Sequence, residues 1–291
     1  MIADLVEQRL AAIDLAPPFR EALVKVIAGG DKDPYVGMLR RLPLDVFHTL
    51  GGKDDRVVLP FAAAWATLHV VLLRLDHLQD DDPEHEPLPT TPHISASYNL
   101  ILAAYVLANA LLDDLDSHAI PFQRIQQLRR LWNDCLLVSA SGQHQDLIYP
   151  GTTTSPDVLD QYQQMAHAKS GALFALAFAG GAILATDDAA AIAACQYVGN
   201  IFGALLQLVD DLVDHRHHGT RSGFGLYQAF EVAAHQAANP CESDDVTVDA
   251  YFRHVYAVYL QQVDNVLMQI EQPRLTTFVR QLFGTCLGGV S

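Results

Sequence analysis

The sequence predicts an all-α protein. Half of its 291 residues are hydrophobic and only 18% are charged, so a large buried core is expected. The apolar residues recur with helical spacing, and no alternation of period two is sustained enough to indicate a strand. No linker of distinct composition divides the chain, so we expect a single domain over residues 1–291, built from several long helices.

The expected helices are bounded by glycine and proline signals. The first expected helices are separated by Pro17-Pro18, Gly29-Gly30 and Gly51-Gly52, and the helix over residues 122–147 is ended by Pro150-Gly151. The expected helices span residues 2–14, 18–28, 35–50, 57–78, 95–115, 122–147, 158–184 and 189–214.

Three of these expected features concern interruptions. The helix over residues 35–50 should be interrupted near Pro43, and the one over 158–184 should kink at Gly180-Gly181. Two or three further helices are expected between residues 226 and 287, broken around Pro240 and Pro273. Several helices are apolar on almost every side, which predicts that they lie in the middle of a bundle or against a second subunit.

One apolar helix is expected to end in three aspartates. Asp210 and Asp214 are four residues apart and share a face, Asp211 lies beside them, and Gln207 is one turn before Asp211. Carboxylates so close repel each other unless a cation lies between them, and the helix dipole disfavours acids at a C-terminus. Oxygen ligands of this kind suit Mg²⁺, so a metal or diphosphate site is favoured over a solvated acidic end.

A second apolar helix ends in a carboxylate pair of the same spacing. Asp76 and Asp80 are four residues apart, and His69 lies two turns before Asp76 on the same face. A pair of such helix ends facing one cavity would surround divalent cations that hold a diphosphate. His69 on an apolar helix is equally well explained as a core histidine.

Composition excludes several other functions. The net charge of −16 argues against nucleic acid and against an anionic membrane surface. Four scattered cysteines indicate reduced thiols in a cytoplasmic protein, and the N-terminus has no signal-peptide pattern. The longest apolar run, residues 171–185, is shorter than the roughly 20 residues that span a bilayer, so no membrane span is expected.

Further motifs extend the two acidic clusters into an ordered set. These are Gly51-Gly52-Lys53-Asp54-Asp55-Arg56, Gly142-Gln143-His144-Gln145-Asp146-Leu147, Lys169-Ser170, and Gln207 with Asp210-Asp211-Leu212-Val213-Asp214. With them, the chain from about Gly51 to about Gly223 resembles the trans-polyprenyl diphosphate synthases, which are class I isoprenoid synthases. The resemblance implies the isoprenoid synthase helical bundle around a central cavity, in a homodimer.

The resemblance also implies roles for individual residues. Lys53, Arg56 and His69 would bind the diphosphate of isopentenyl diphosphate, and Lys169 and Gln207 would bind an allylic prenyl diphosphate. About three Mg²⁺ ions, a number that the resemblance supplies, would hold that diphosphate. Their ligands would be Asp76, Asp80, Asp210, Asp211 and Asp214. Lys169, Asp76 and Asp210 would act directly in the loss of diphosphate.

The sequence departs from the family pattern in the first acidic motif and after it. His77 stands where the family has a second Asp, and His85-Glu86 stands where it has two arginines that bind phosphate. Chain elongation with isopentenyl diphosphate is the first hypothesis. A terpene cyclase or a prenyltransferase to another acceptor remains open, as does a catalytically weak regulatory subunit.

Overall fold

The structure, a computed structural model, describes residues 2–28, 34–79, 94–117, 120–149, 157–218, 224–236 and 247–287. Every regular element within these residues is a helix, which confirms the all-α prediction. The α-helices are α1 (Ile2–Ala11), α2 (Pro17–Ala28), α3 (Pro34–Arg40), α4 (Leu42–Thr49), α5 (Asp55–Gln79), α6 (Ile94–Asp113), α7 (Phe122–Ile148), α8 (Val158–Ala166), α9 (Ala172–Ala185), α10 (Ala189–His218), α11 (Leu226–Gln236), α12 (Val248–Gln269) and α13 (Pro273–Leu287).

Several predicted helix boundaries differ from the observed ones by a few residues, as at the end of α1, which lies at Ala11 and not at residue 14. The interruption predicted near Pro43 falls at Arg41, because proline is accepted in the first turn of α4. The helix predicted over residues 158–184 continues through Gly180-Gly181, and its irregularity is instead a π-helical turn at His167–Gly171. The helix predicted to stop at Asp214 extends to His218. The acidic cluster therefore precedes the helix end by a turn, which weakens the argument from the helix dipole.

The chain divides into two compact units, Met1–Arg129 with Gly180–Thr186, and Arg130–Ala179 with Asp187–Ser291. Helix α5 is central to the first unit, where its neighbours include α1, α4 and α6. It is buried almost continuously from Val58 to Val71, as expected for a helix that is apolar on every side. The single domain over residues 1–291 stays a prediction.

Helix α10 is central to the second unit. It contacts α8, α11, α12, α13 and the π-helical turn. Large side chains such as Phe174, Phe178 and Phe202 fill the space between α9, α10 and α13, with ring centroids about 5 to 6 Å apart. This packing fixes the part of α10 that leads to the three aspartates.

Four helical stretches are long and apolar enough to cross a membrane by length and composition: α5, α6, Val158–Ala185 and Ala189–His215. The sequence argument against a membrane span compared only the apolar run of residues 171–185 with the thickness of a bilayer, whereas helices that include a few polar residues also reach that length. Most of the apolar window is buried inside the protein in α5, α10 and Val158–Ala185, whereas in α6 the buried share is 39%.

Candidate functional site

The three aspartates of α10 differ in their surroundings. Asp210 is exposed, whereas Asp211 and Asp214 are partly buried. Burial raises the pKa of Asp211 to about 6, although hydrogen bonds and the charge of Lys169 act in the opposite direction. The sequence therefore placed three similar carboxylates together, and the fold gives one of them a separate environment.

Asp211 accepts hydrogen bonds on both of its oxygens. The Tyr162 hydroxyl donates to Oδ2 at 2.7 Å, and the backbone N–H of Leu226 donates to the same oxygen at 2.8 Å. Gln207 Nε2 donates to Oδ1 at 3.0 Å. Burial raises the pKa of Tyr162 well above its ordinary value, so this hydroxyl keeps the proton that it donates.

Lys169 lies in the π-helical turn between α8 and α9. Ser139 Oγ donates to the backbone carbonyl of Lys169 at 2.7 Å. At Gly142, one turn further along α7, a Cβ atom would collide with the backbone of Lys169. A glycine there lets the two backbones approach closely, and the widened turn presents its lysine at that contact.

The Lys169 ammonium forms a buried ion pair with Asp146 of α7. The two atoms, Nζ and Oδ2, are 2.6 Å apart, and the side chains are only 11% and 12% exposed. Asp146 Oδ1 also accepts the backbone N–H of Phe224 at 2.7 Å. Buried charges are tolerated when they are paired and hydrogen-bonded in this way. Lys169 is thus a fixed cation in the unit that carries the aspartates of α10.

A partly buried polar network contacts the π-helical turn. His167 Nδ1 lies 2.7 Å from Asn200 Oδ1, and His167 Nε2 lies 2.8 Å from the Tyr259 hydroxyl. Tyr259 in turn donates to Gln163 at 3.0 Å. Burial lowers the pKa of His167 despite the hydrogen bond to Asn200. The network joins α8, α10 and α12 and stabilises the turn that carries Lys169.

In the first unit, Asp76 and His77 occupy the last turn of α5, and both are partly exposed. Asp80, the other predicted carboxylate of this motif, lies outside the described residues, as do His85 and Glu86. Their predicted roles stay predictions.

His69 is buried on α5 and only 8% exposed. Its ring stacks on Trp65 with centroids 5.5 Å apart. Burial, with a smaller contribution from the charge of Arg40, lowers the pKa of His69 to about 4. A neutral, buried histidine favours the core interpretation over direct diphosphate binding.

The predicted diphosphate-binding cations Lys53 and Arg56 lie at the start of α5, and both are exposed. Arg56 donates Nε and Nη2 to the Asp54 carboxylate, with contacts of 2.7 to 3.2 Å. Asp54 Oδ1 also accepts the backbone N–H of Arg56 at 3.1 Å, so it caps the helix. The preceding Gly51 has a φ of 91°, a conformation that favours glycine. The Arg56 side chain therefore has a fixed position, but its guanidinium is already paired with the Asp54 carboxylate and would have to leave it to bind a diphosphate.

The donor set of α10 fits Mg²⁺. Asp210 and Asp214 present carboxylate oxygens one helical turn apart and are at least partly exposed, which suits a hard cation that keeps several waters. Within the described ranges, no three His, Cys, Asp or Glu side chains converge closely enough to hold a metal ion by themselves. Water and substrate oxygens would thus complete any coordination at α10.

Sequence reasoning missed several residues of this network. Asp146 was noted within a motif but was given no role, although it pairs with Lys169. Tyr162, Ser139 and the backbone of Leu226 were not identified. Tyr162 is fully buried and reads as a core aromatic, and its partner is 49 residues away, so no local pattern identifies it.

Comparison with known proteins places these features in context. Residues 38–223 match the family described as polyprenyl synthetase. The chain is 31% identical over 166 residues to a geranylgeranyl diphosphate synthase of Mycobacterium tuberculosis, a match that covers 56% of this chain and 45% of that protein. The chain thus spans less than half the length of this curated relative.

Solved structures share the fold over nearly the whole chain. A geranyltransferase from Legionella pneumophila aligns with a TM-score of 0.71 at 19% identity, covering 96% of this chain and 91% of that one. A geranyltransferase from Helicobacter pylori aligns with the same score at 16% identity, covering 98% and 96%. At these identities the likeness concerns the fold, and it confirms the predicted isoprenoid synthase helical architecture.

Proposed function

The chain belongs to the polyprenyl synthetase family, and on that basis we propose that it is a Mg²⁺-dependent prenyltransferase that condenses an allylic prenyl diphosphate with isopentenyl diphosphate. The observation that carries the proposal is the buried Lys169, the sole Lys or Arg between Arg130 and Arg216 in the sequence. Burial raises the pKa of Asp211, and the charge of Lys169 is one of the interactions that oppose this rise. A fixed cation beside an acidic helix suits a site that binds both metal and diphosphate.

The proposed reaction begins with breakage of the bond between the allylic carbon and the diphosphate oxygen. The leaving diphosphate keeps the electron pair, and Lys169 stabilises its charge. Asp210 and Asp214, with Asp76 and Asp80 by resemblance, would hold about three Mg²⁺ ions, which would neutralise charge on the diphosphate. Gln207, held by Ser170 at 2.7 Å, would orient that end of the substrate. The double bond of isopentenyl diphosphate then attacks the allylic cation and forms the new carbon–carbon bond. The resulting cation loses a proton to the released diphosphate, which leaves a new double bond in the product.

A second candidate function is capture of the allylic cation by another part of the same prenyl chain or by an acceptor other than isopentenyl diphosphate. Two observations favour it. Arg56, a predicted ligand of isopentenyl diphosphate, is already held by Asp54. His85 and Glu86 replace the arginine pair in the sequence, and a glutamate repels phosphate.

The test offers the purified chain geranyl, farnesyl or geranylgeranyl diphosphate with Mg²⁺, with and without isopentenyl diphosphate. Longer prenyl diphosphates support elongation. Diphosphate release without isopentenyl diphosphate, together with a hydrocarbon or alcohol product, supports cyclisation or hydrolysis instead. No release with any substrate, but altered product length when an active family member is added, supports the regulatory-subunit hypothesis.

The proposal includes a homodimer. Helix α6 leaves an apolar stripe in solvent whose members are 37% to 61% exposed: Ile94, Tyr98, Leu102, Tyr105 and Val106. A contiguous apolar face of this kind is typical of an interface. We expect Leu102→Glu to produce a monomer in light scattering, whereas Asn99→Glu, on the same face but polar already, should weaken the dimer less.

We also propose a cytoplasmic location. Cys135, Cys195 and Cys286 are buried free thiols, which suits a reducing compartment. Helical segments whose apolar surface is mostly covered by protein are not available to lipid, so α5, α10 and Val158–Ala185 are proposed to form core, and the exposed stripe of α6 to form the dimer interface. Cell fractionation tests both statements: the chain should be recovered in the cytoplasmic fraction, and neither with membranes nor in a fraction from outside the cytoplasm.

A further inference from the structure

Asp211 differs from its neighbours in what its carboxylate already does. It receives hydrogen bonds from Tyr162 on α8, from the first backbone N–H of α11 at Leu226, and from Gln207 on α10. A carboxylate has room for about four donors, and three places are occupied by groups of this chain. Little of Asp211 remains for an external cation.

The direction of the side chains supports the same division. Asp210 and Asp214 share a face, whereas Asp211 is rotated by about 100° from Asp210, because an α-helix has 3.6 residues per turn. Asp210 is exposed and Asp211 faces protein donors. The sequence motif therefore combines two kinds of aspartate.

We propose that Asp211 is a positioning residue that joins α8, α10 and α11, and that it is not a metal ligand. The proposal rests on the proposed function, because it assigns metal binding to Asp210 and Asp214. It removes Asp211 from the ligand set that the motif implied.

Asp211 acts on the site through two connections. Its Oδ2 caps the N-terminus of α11, where a carboxylate stabilises the unpaired backbone N–H groups and the positive end of the helix dipole. Its Oδ1 holds Gln207, whose Oε1 accepts from Ser170 Oγ at 2.7 Å. Ser170 follows Lys169 in the π-helical turn, so Asp211 helps to fix the cation that binds the leaving diphosphate.

The hydrogen-bond chemistry gives a discriminating variant. In Asp211→Asn, the new amide oxygen can still accept from Tyr162 and from the backbone of Leu226. Its amide N–H can donate to Gln207 if that side chain flips, and Gln207 then donates to Ser170. The hydrogen bonds to Tyr162, Leu226 and Gln207 are therefore all kept in this variant, but the negative charge needed to bind Mg²⁺ is lost. Asp210→Asn, which removes one charge from the adjacent residue, is the matched control.

The first readout is metal dependence of diphosphate release. We expect the Mg²⁺ concentration for half-maximal rate to stay within about twofold in Asp211→Asn and to rise more than about tenfold in Asp210→Asn. We expect Asp211→Ala to lower kcat far more than Asp211→Asn does, which is rescue by the conservative variant. An equal rise in Mg²⁺ requirement for Asp211→Asn and Asp210→Asn would overturn the proposal.

The second readout uses protein without metal or substrate. Amide hydrogen exchange in the first turn of α11 should accelerate at least about tenfold in Asp211→Ala and in Tyr162→Phe, and should change little in Asp210→Asn. Unchanged exchange in both Tyr162→Phe and Asp211→Ala would refute the proposal that Asp211 joins α8, α10 and α11. If Asp211→Ala does not fold, Tyr162→Phe still provides the test. If the wild-type chain releases no diphosphate, the proposed function fails, while this exchange experiment still decides the role of Asp211.

Discussion

The buried ion pair between Asp146 and Lys169 gives a prediction whose size follows from the structure. At 2.6 Å and an effective dielectric constant of about 20, two unit charges attract by about 6 kcal/mol. Desolvation offsets much of this attraction, but removal of one partner leaves the other charge buried. Breaking such a pair costs about 3 to 5 kcal/mol. We therefore expect Asp146→Asn to lower the free energy of unfolding by that amount.

The assay is urea denaturation followed by circular dichroism, with a matched control in the same unit. Arg280 and Asp264 form a pair 2.9 Å apart whose side chains are 64% and 44% exposed. Solvent screens an exposed pair, so Asp264→Asn should cost about 1 kcal/mol or less. The double variant Asp146→Asn with Lys169→Met should recover part of the loss, because it removes the uncompensated cation. Equal costs for Asp146→Asn and Asp264→Asn would refute the burial argument.

Three further predictions address other residues. Burial lowers the pKa of His69 to about 4, so between about pH 4 and 6.5 the unfolded chain binds more protons than the folded one. The free energy of unfolding should therefore fall as the pH drops through that window. His69→Gln should make the free energy of unfolding, measured by urea titration at each pH, less dependent on pH. Gly142→Ala places a methyl group against the backbone of Lys169 and should cost about 1 to 3 kcal/mol in the same assay. Gly37→Ala, where nothing lies within 4 Å of the new carbon, should be neutral or stabilising, and a similar loss in both variants would contradict the close-approach argument. Arg56→Ala should leave the urea midpoint almost unchanged, because solvent screens an exposed ion pair, but it should raise the KM for isopentenyl diphosphate. An unchanged KM would remove Arg56 from that site.

Much of the fold could be predicted because helical periodicity is local. Periodicity predicts the long helices α5, α6, α7 and α10 to within a few residues at most ends. The π-helical turn could not be predicted, because the contacts that stabilise it are tertiary. Ser139 and Gly142 of α7, which are 30 and 27 residues away in the sequence, contact the backbone of Lys169. Helix ends depend on such contacts and are therefore the least predictable part.

The residues of the candidate site also differ in whether a local sequence pattern can identify them. Lys169 could be identified from sequence because a single cation in a long uncharged stretch is conspicuous. The separate character of Asp211 could not, since it depends on Tyr162 and Leu226, which lie on other elements. For His69, the sequence left the core and ligand interpretations balanced, and only burial distinguishes them.

The contacts around Lys169 also constrain how a diphosphate would bind in the second unit. A ligand that draws the ammonium away from Asp146 leaves that carboxylate, among the described residues, with the backbone N–H of Phe224 as its hydrogen-bond donor. Two residues later, the backbone N–H of Leu226 is held by Asp211. Both carboxylates thus fix the start of α11, and one of them shares its charge with the diphosphate-binding lysine. Because a buried unpaired charge is costly, diphosphate binding and the position of this segment must be coupled. A diphosphate analogue should therefore accelerate amide exchange at Phe224 in the wild-type chain and not in Lys169→Met, a difference that direct binding without coupling would not produce.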